Sequence, residues 1–199
     1  MDNQTLPGLH VAVLLTDGFE QVEFTEPRSV LEQHGAIIKI ISGARGKVKG
    51  VHHDQPGDEF NVDATFDEAD PMDFDAVLLP GGKENGGRIR DIAQAQDFLQ
   101  HIDEAGKPIA AICHGSWLLA SAGLAQGRTL TSWPSLQDDI RRAGGNWVDQ
   151  EVVVDGNLVT SRKPDDIPAF NQKLVEVFSW RMNASPGAEA ERASAGPSS

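Results

Sequence analysis

A three-layer α/β/α sandwich around a mostly parallel sheet is the fold this sequence predicts. Two patterns point to it. Short apolar runs recur at residues 11–15, 36–41, 76–79 and 109–112, broken only by Lys39, and amphipathic segments separate them. A strand without polar alternation is buried on both faces, and sheets covered on both faces by helices are mostly parallel. A third observation adds a small antiparallel part. Asp155-Gly156 lies between β-rich runs at 147–154 and 158–161, a strong hairpin signal.

The elements follow in order. Residues 11–15 form the first buried strand and end in the turn Thr16-Asp17-Gly18. Phe19, Val22, Phe24, Val30 and Leu31 give a helix over 19–34 in spite of Pro27, closed by Gly35. The second strand is 36–41. Residues 43–57 are basic, Gly-rich and contain His52 and His53; without a period they read as a loop or a hairpin. Residues 61–70 make a short acidic connection. The third strand, 76–79, runs into Pro80-Gly81-Gly82. Ile89, Ile92, Phe98 and Ile102 predict one helix over 88–105, stopped by Gly106 and Pro108. The fourth strand is 109–112. A helix over 115–122, a weak strand over 129–132, a helix over 136–143 and a last helix over 167–180 complete the order. One domain is expected over 1–183. Residues 184–199, rich in Ala, Ser, Gly, Pro and Glu, read as a disordered tail.

Of the 199 residues 39% are hydrophobic and 24% charged, a globular composition with a net charge of −13. Such acidity repels phosphate backbones and anionic membrane surfaces, so neither nucleic acid nor membrane is an expected partner. No apolar run approaches the roughly 20 residues that span a bilayer. The first nine residues lack a signal-peptide core, and the expected location is the cytoplasm. A single cysteine excludes an intrachain disulfide and a multi-Cys metal site. His52 and His53 have no carboxylate or Cys at ligand spacing, and no cofactor or metal is expected.

Ligands of such a sheet sit at the carboxyl ends of its strands. That singles out three segments, 17–23, 80–88 and 113–115, each just after a buried strand. Cys113 stands between Ile112 and the His114-Gly115 start of a helix, on a sharp strand-to-helix turn of the kind that exposes a nucleophile. The positive end of the following helix favours a thiolate there. Pro80-Gly81-Gly82 is either a tight turn or an oxyanion hole in which the N–H groups of Gly82 and His114 face one developing charge. Glu20 and Glu23, three apart, share a helix face; they are either a solvated pair in the first turn or carboxyls within reach of the thiol. His114 needs a third group to orient it if it is to act as a base.

These residues carry a resemblance. DGFEQVEFTEP from Asp17, FDAVLLPGG from Phe74, KPIAAICHG from Lys107, TSWPSLQDDIRRAGGNWVD from Thr131 and EVVVDGNLVTSRKPDDIPAFN from Glu151 resemble the PfpI family of intracellular proteases and stress proteins. That family belongs to the class-I glutamine-amidotransferase-like superfamily, which also holds the parkinsonism-associated deglycase. The resemblance runs from about His10 to Phe178. It implies a flavodoxin-like sandwich and assembly into a homodimer or hexamer. It implies that Cys113 is an easily oxidised nucleophile, that Glu23 rather than Glu20 is the protonated carboxylic acid touching its sulfur, that Gly82 and His114 form the oxyanion hole, and that Trp133 occupies a pocket position. In protease-like members an acid from the neighbouring subunit orients the histidine; the matching position here is Gly87, and Glu84 stands three residues too early. Peptidase activity should therefore be weak. The resemblance implies a stress-response hydrolase, glyoxalase or deglycase acting on small or protein-bound carbonyl compounds, or else a redox sensor oxidised at Cys113 without turnover. A structural domain with an inert, buried Cys113 is the third alternative.

Overall fold

The computed structural model describes residues 5–184. The tail expected over 184–199 lies outside the described residues except for Ala184, which ends the last helix.

In chain order the elements are β1 (His10–Leu14), β2 (Phe19–Glu20), α1 (Val22–Gln33), β3 (Ile37–Ser42), β4 (Lys47–His52), β5 (Gln55–Asn61), β6 (Ala64–Thr65) and β7 (Ala76–Leu79). There follow α2 (Lys83–Ile89), α3 (Ala93–Glu104), β8 (Ile109–Ile112), α4 (Ser116–Ser121), β9 (Thr129–Leu130), α5 (Gln137–Arg142), β10 (Asn146–Trp147), β11 (Val152–Asp155), β12 (Leu158–Ser161) and α6 (Ile167–Ala184). Seven strands form the central sheet in the order β11-β12-β8-β7-β1-β3-β6. All neighbours are parallel except the β11/β12 hairpin. This is the flavodoxin-like α/β arrangement the sequence predicts.

Alternation along each strand explains the two covering layers. Val11 and Val13 point to the face packed by Phe24 and Leu31 of α1 and by Phe170, Leu174 and Phe178 of α6. Ala12 and Leu14 point to the opposite face, where Phe98, Leu99 and Ile102 of α3 meet Leu118 and Leu119 of α4. Both faces of β1 are thus apolar, which is why it reads as an unbroken run. From β1 the chain steps outward to β3 on one side and then crosses to β7 on the other. The carboxyl ends of β1, β7 and β8 therefore flank the point where the strand order reverses, where open α/β sheets bind their ligands.

Several elements differ from expectation. The helix expected over 19–34 begins only at Val22, because Phe19 and Glu20 pair with Gly50 and Val51 of β4. Of the loop or hairpin expected over 43–57 the hairpin forms, as β4 and β5, and β2 extends it to a separate three-stranded sheet. The helix expected over 88–105 is two, broken at Ile92, whose backbone is extended (φ −85, ψ 107). Gly86 lies in the first of them, so close to His114 that a Cβ would stand 2.7 Å from its carbonyl oxygen. The acidic connection contains the edge strand β6. The expected 129–132 and 147–154 strands shrink to β9 and β10, which pair with each other outside the central sheet and leave only β11 to join it.

Phe170 is fully buried beneath the sheet. Phe170→Ala is expected to lower stability by about 3–5 kcal/mol, read as a fall in the urea midpoint with an unchanged slope.

Candidate active site

At the end of β8 the chain turns sharply. Ile112 is extended (φ −130, ψ 143), and Cys113 enters the left-handed region at φ 59. A non-glycine residue held there stores about 1–3 kcal/mol of strain and persists only where its surroundings enforce it. Here Trp133 N–H donates to the Cys113 carbonyl at 3.2 Å. Gly115 packs so tightly under Leu79 that a Cβ would lie 2.3 Å from the Leu79 carbonyl oxygen. The thiol is 6% exposed and faces a cavity of about 200 Å³ lined by Glu20, Glu23, His53, Gly82, His114, Trp133 and Pro164.

The three loops named from the sequence do converge. The N–H groups of Gly82 and His114 both lie within hydrogen-bonding reach of the Cys113 sulfur. Gly82 has φ 93, and a Cβ there would lie 2.4 Å from the Gly18 carbonyl oxygen, so only glycine brings this N–H to the site. Gly81 N–H donates to Glu23 Oε1 at 3.1 Å. A Cβ on Gly81 would strike that oxygen and Cys113 Cβ, so only bare backbone fits beside acid and thiol. Glu23 is wholly buried in the first turn of α1. Its Oε2 has no partner of ordinary hydrogen-bond geometry among the described residues. The carboxyl is nonetheless within hydrogen-bonding reach of the Cys113 side chain.

Burial raises the Glu23 carboxyl well above the ordinary carboxylate range. The charge of Glu20 adds to that, while the contacts with Cys113 and Gly81 oppose it. Burial also pushes the Cys113 thiol up, and a charged Glu23 pushes it further; the N–H groups of His114 and Gly82 pull it down. The helix dipole therefore does not by itself supply the thiolate expected from the sequence. The turn at Cys113–Gly115 and the six-residue α4 behind it are short, and desolvation outweighs them. Two negative charges do not fit in this pocket, so sulfur and carboxyl titrate as a coupled pair. With the sulfur ionised and Glu23 protonated, three donors surround the sulfur: two backbone N–H groups and the carboxylic O–H.

His114 Nδ1 lies 3.2 Å from Cys113 Sγ. Burial, helped by Lys83, draws the imidazole down to about 4, so the ring is neutral near pH 7. Its ring stacks on Trp133 (5.6 Å, 23°) and leans on Trp117 (5.3 Å). Arg90 covers the far face of the cluster at 4.9 Å from the Trp117 centroid, and Trp117 Nε1 donates to Asp139 at 2.9 Å. No carboxylate among the described residues takes the orienting place. Gly87 meets only the Trp117 ring, and Glu84 is exposed and paired with Arg88. Trp133 lines the cavity. Glu20 also reaches the cavity, but its carboxylate is engaged with the His53 backbone and Glu23 alone contacts the sulfur. Among the described residues no cluster of three or more His, Cys, Asp or Glu side chains is placed to hold a metal ion.

Two participants escape sequence reasoning. Asn85 is completely buried; its Oδ1 accepts from Thr16 N–H (2.7 Å) and Oγ1 (3.0 Å), and its Nδ2 donates to the carbonyls of Pro80 (3.1 Å) and Gly81 (3.0 Å). It ties the loop after β1 to the loop that presents Gly82. His53 arrives from the tip of the β4/β5 hairpin.

This constellation has known counterparts. The model of the DJ-1/PfpI family matches residues 9–177. The chain belongs to the DJ-1/PfpI family. A deglycase of Thermococcus kodakarensis is 41% identical over 170 residues, covering 85% of this chain and 99% of the relative. General stress protein 18 of Bacillus subtilis is 42% identical, covering 86% of this chain and 98% of the relative. Among solved structures of the family, Drosophila melanogaster DJ-1beta superimposes with a TM-score of 0.77 at 31% identity, covering 86% of this chain and 91% of that one.

The buried carboxyl of Glu23 makes a pH-dependent demand on folding. Its folded pKa is raised, so its favourable contribution is complete below the unfolded pKa and is lost as pH rises through the folded one. Glu23→Gln carries no such term. Its melting temperature relative to the unsubstituted protein is expected to climb as pH rises above the ordinary carboxylate range; a difference that stays constant with pH would mean that Glu23 is not held protonated.

Proposed function

We propose that this chain is a cysteine-dependent hydrolase of the deglycase type, acting on reactive carbonyl compounds and their adducts in a stress response. One observation carries the proposal: the Cys113 sulfur, on strained backbone, faces a small cavity with two N–H donors and a buried carboxyl around it. The names of the Thermococcus and Bacillus relatives agree with it.

For a dicarbonyl such as methylglyoxal the steps balance without an external oxidant. Cys113 sulfur adds to the aldehyde carbon, and the oxygen that gains charge is met by the N–H groups of Gly82 and His114 and takes the proton held by Glu23. Glu23, now a carboxylate beside the new bond, removes the proton from that carbon and returns it to the neighbouring one. The aldehyde carbon is thereby oxidised to a thioester while the ketone is reduced to an alcohol. Water then forms a C–O bond, the C–S bond breaks, and a 2-hydroxy acid leaves with the thiol restored. The peptidase variant of this chemistry needs His114 as an oriented base, and Gly87 offers no acid to orient it.

Cys113→Ser is expected to lower methylglyoxal consumption by about 10³-fold, and Glu23→Gln by about 10²-fold, with casein hydrolysis near background in all three proteins. Full activity of Cys113→Ser would refute the proposal. Mild peroxide followed by mass spectrometry separates the redox-sensor alternative: oxygen addition at Cys113 in a protein with no dicarbonyl turnover would favour a sensor.

A further inference from the structure

Among the described residues only two other than glycine adopt left-handed backbone, Cys113 (φ 59) and His53 (φ 58). They lie 60 positions apart by residue number, yet both line the same cavity. Strain of this kind gathers where the surroundings enforce it, often at functional sites. At His53 the enforcing group is Glu20. Both of its carboxylate oxygens accept from His53 N–H at 3.1 Å, and Oε1 lies 3.8 Å from the ring Nδ1. Glu20 is itself fixed: it is 8% exposed, paired with Val51 of β4, and its own N–H donates to the Gly81 carbonyl at 3.2 Å. Its neighbour Gln21 clamps the same hairpin, donating to Asp58 Oδ2 and accepting from Asp58 N–H, both at 2.8 Å.

The cavity therefore holds two imidazoles of opposite kind. His114 touches the sulfur but has no carboxylate and sits between tryptophans. His53 has a carboxylate beside one ring nitrogen, which leaves Nε2 free to take a proton, and its side chain is 85% exposed, open to water. Imidazole is the commonest general base of enzymes, and a base works best when a third group orients it.

We propose that His53, oriented by Glu20, is the general base that hydrolyses the acyl intermediate on Cys113. It takes a proton from water as the water oxygen bonds to the acyl carbon. The C–S bond breaks, the carboxylic acid leaves, and the proton on His53 returns to the Cys113–Glu23 pair. The two half-reactions then use the two sides of one cavity. This rests on Cys113 being the nucleophile, and the experiment tells the two apart.

The test uses p-nitrophenyl acetate with the full chain. Release of p-nitrophenolate reports attack by Cys113, and mass spectrometry follows the decay of the acetylated chain. In His53→Asn, where Asn accepts left-handed backbone, acetyl-Cys113 should accumulate to one per chain and its decay should slow about a hundredfold. Glu20→Gln keeps an acceptor for His53 N–H and should slow decay less, by about tenfold. Free imidazole should restore decay in His53→Asn, which a merely structural role would not allow. An unchanged rate of Cys113 alkylation by iodoacetamide in His53→Asn shows that the pocket is intact in that variant. Decay as fast in His53→Asn as in the unsubstituted protein overturns the role of His53 and leaves Cys113 standing. p-Nitrophenolate release that persists in Cys113→Ser overturns both.

Discussion

The contact between a buried carboxyl and a buried sulfur is the constraint on which the rest of this site depends. Glu23 is wholly excluded from solvent and Cys113 nearly so. In such surroundings one negative charge is tolerable because backbone N–H groups meet it, and a second is not. The carboxyl is therefore an acid in the chemical sense, able to donate to the sulfur when the sulfur is ionised. A thiolate formed in this way owes little to helix dipoles and much to the shape of the hole around it.

That hole is built from backbone more than from side chains. The sheet brings the ends of β1, β7 and β8 together; glycine at 81 lets the chain after β7 pass beside Glu23 and Cys113 without a Cβ in the way, and glycine at 82 lets it pass the loop after β1. The Gly82 N–H faces the sulfur only because its φ is one that other residues resist. Geometry of this kind is preorganised, so little need reorganise as charge moves from sulfur to substrate oxygen. The strain stored at Cys113 is the counterpart: it lifts the thiol above the sheet edge, and the surrounding contacts hold it there.

Much of this is legible in the sequence, for a physical reason. Strands at 76–79 and 109–112 stand at their predicted positions because burial on both faces leaves no choice but apolar residues. Once those strands are placed, the loops after them must share an edge, and Cys113 and Gly82 stand on two of them; the choice of Glu23 over Glu20 comes only with the family resemblance. What cannot be read depends on contacts between distant segments. Phe19 and Glu20 look helical by spacing, yet they pair with β4, because the close approach of Gly50 decides their conformation. Glu20 and Glu23 look alike on a helix face; only the hairpin, 33 residues along the chain, shows that one binds backbone and the other the sulfur. The break at Ile92 and the four hydrogen bonds of Asn85 leave no periodic trace at all.

Asn85 is followed by Gly86, a pair whose amide carbon in an open chain is readily attacked by the next backbone nitrogen, with loss of ammonia. In the fold neither partner is free. The Asn85 amide spends every donor and acceptor on the loops, and Gly86 N–H donates to the Gly82 carbonyl at 2.8 Å. The same contacts that aim the Gly82 N–H thus shield a labile bond. An unfolded chain loses that shield and ages chemically, and once Asn85 becomes a carboxylate it can no longer donate to the two carbonyls that set the loop.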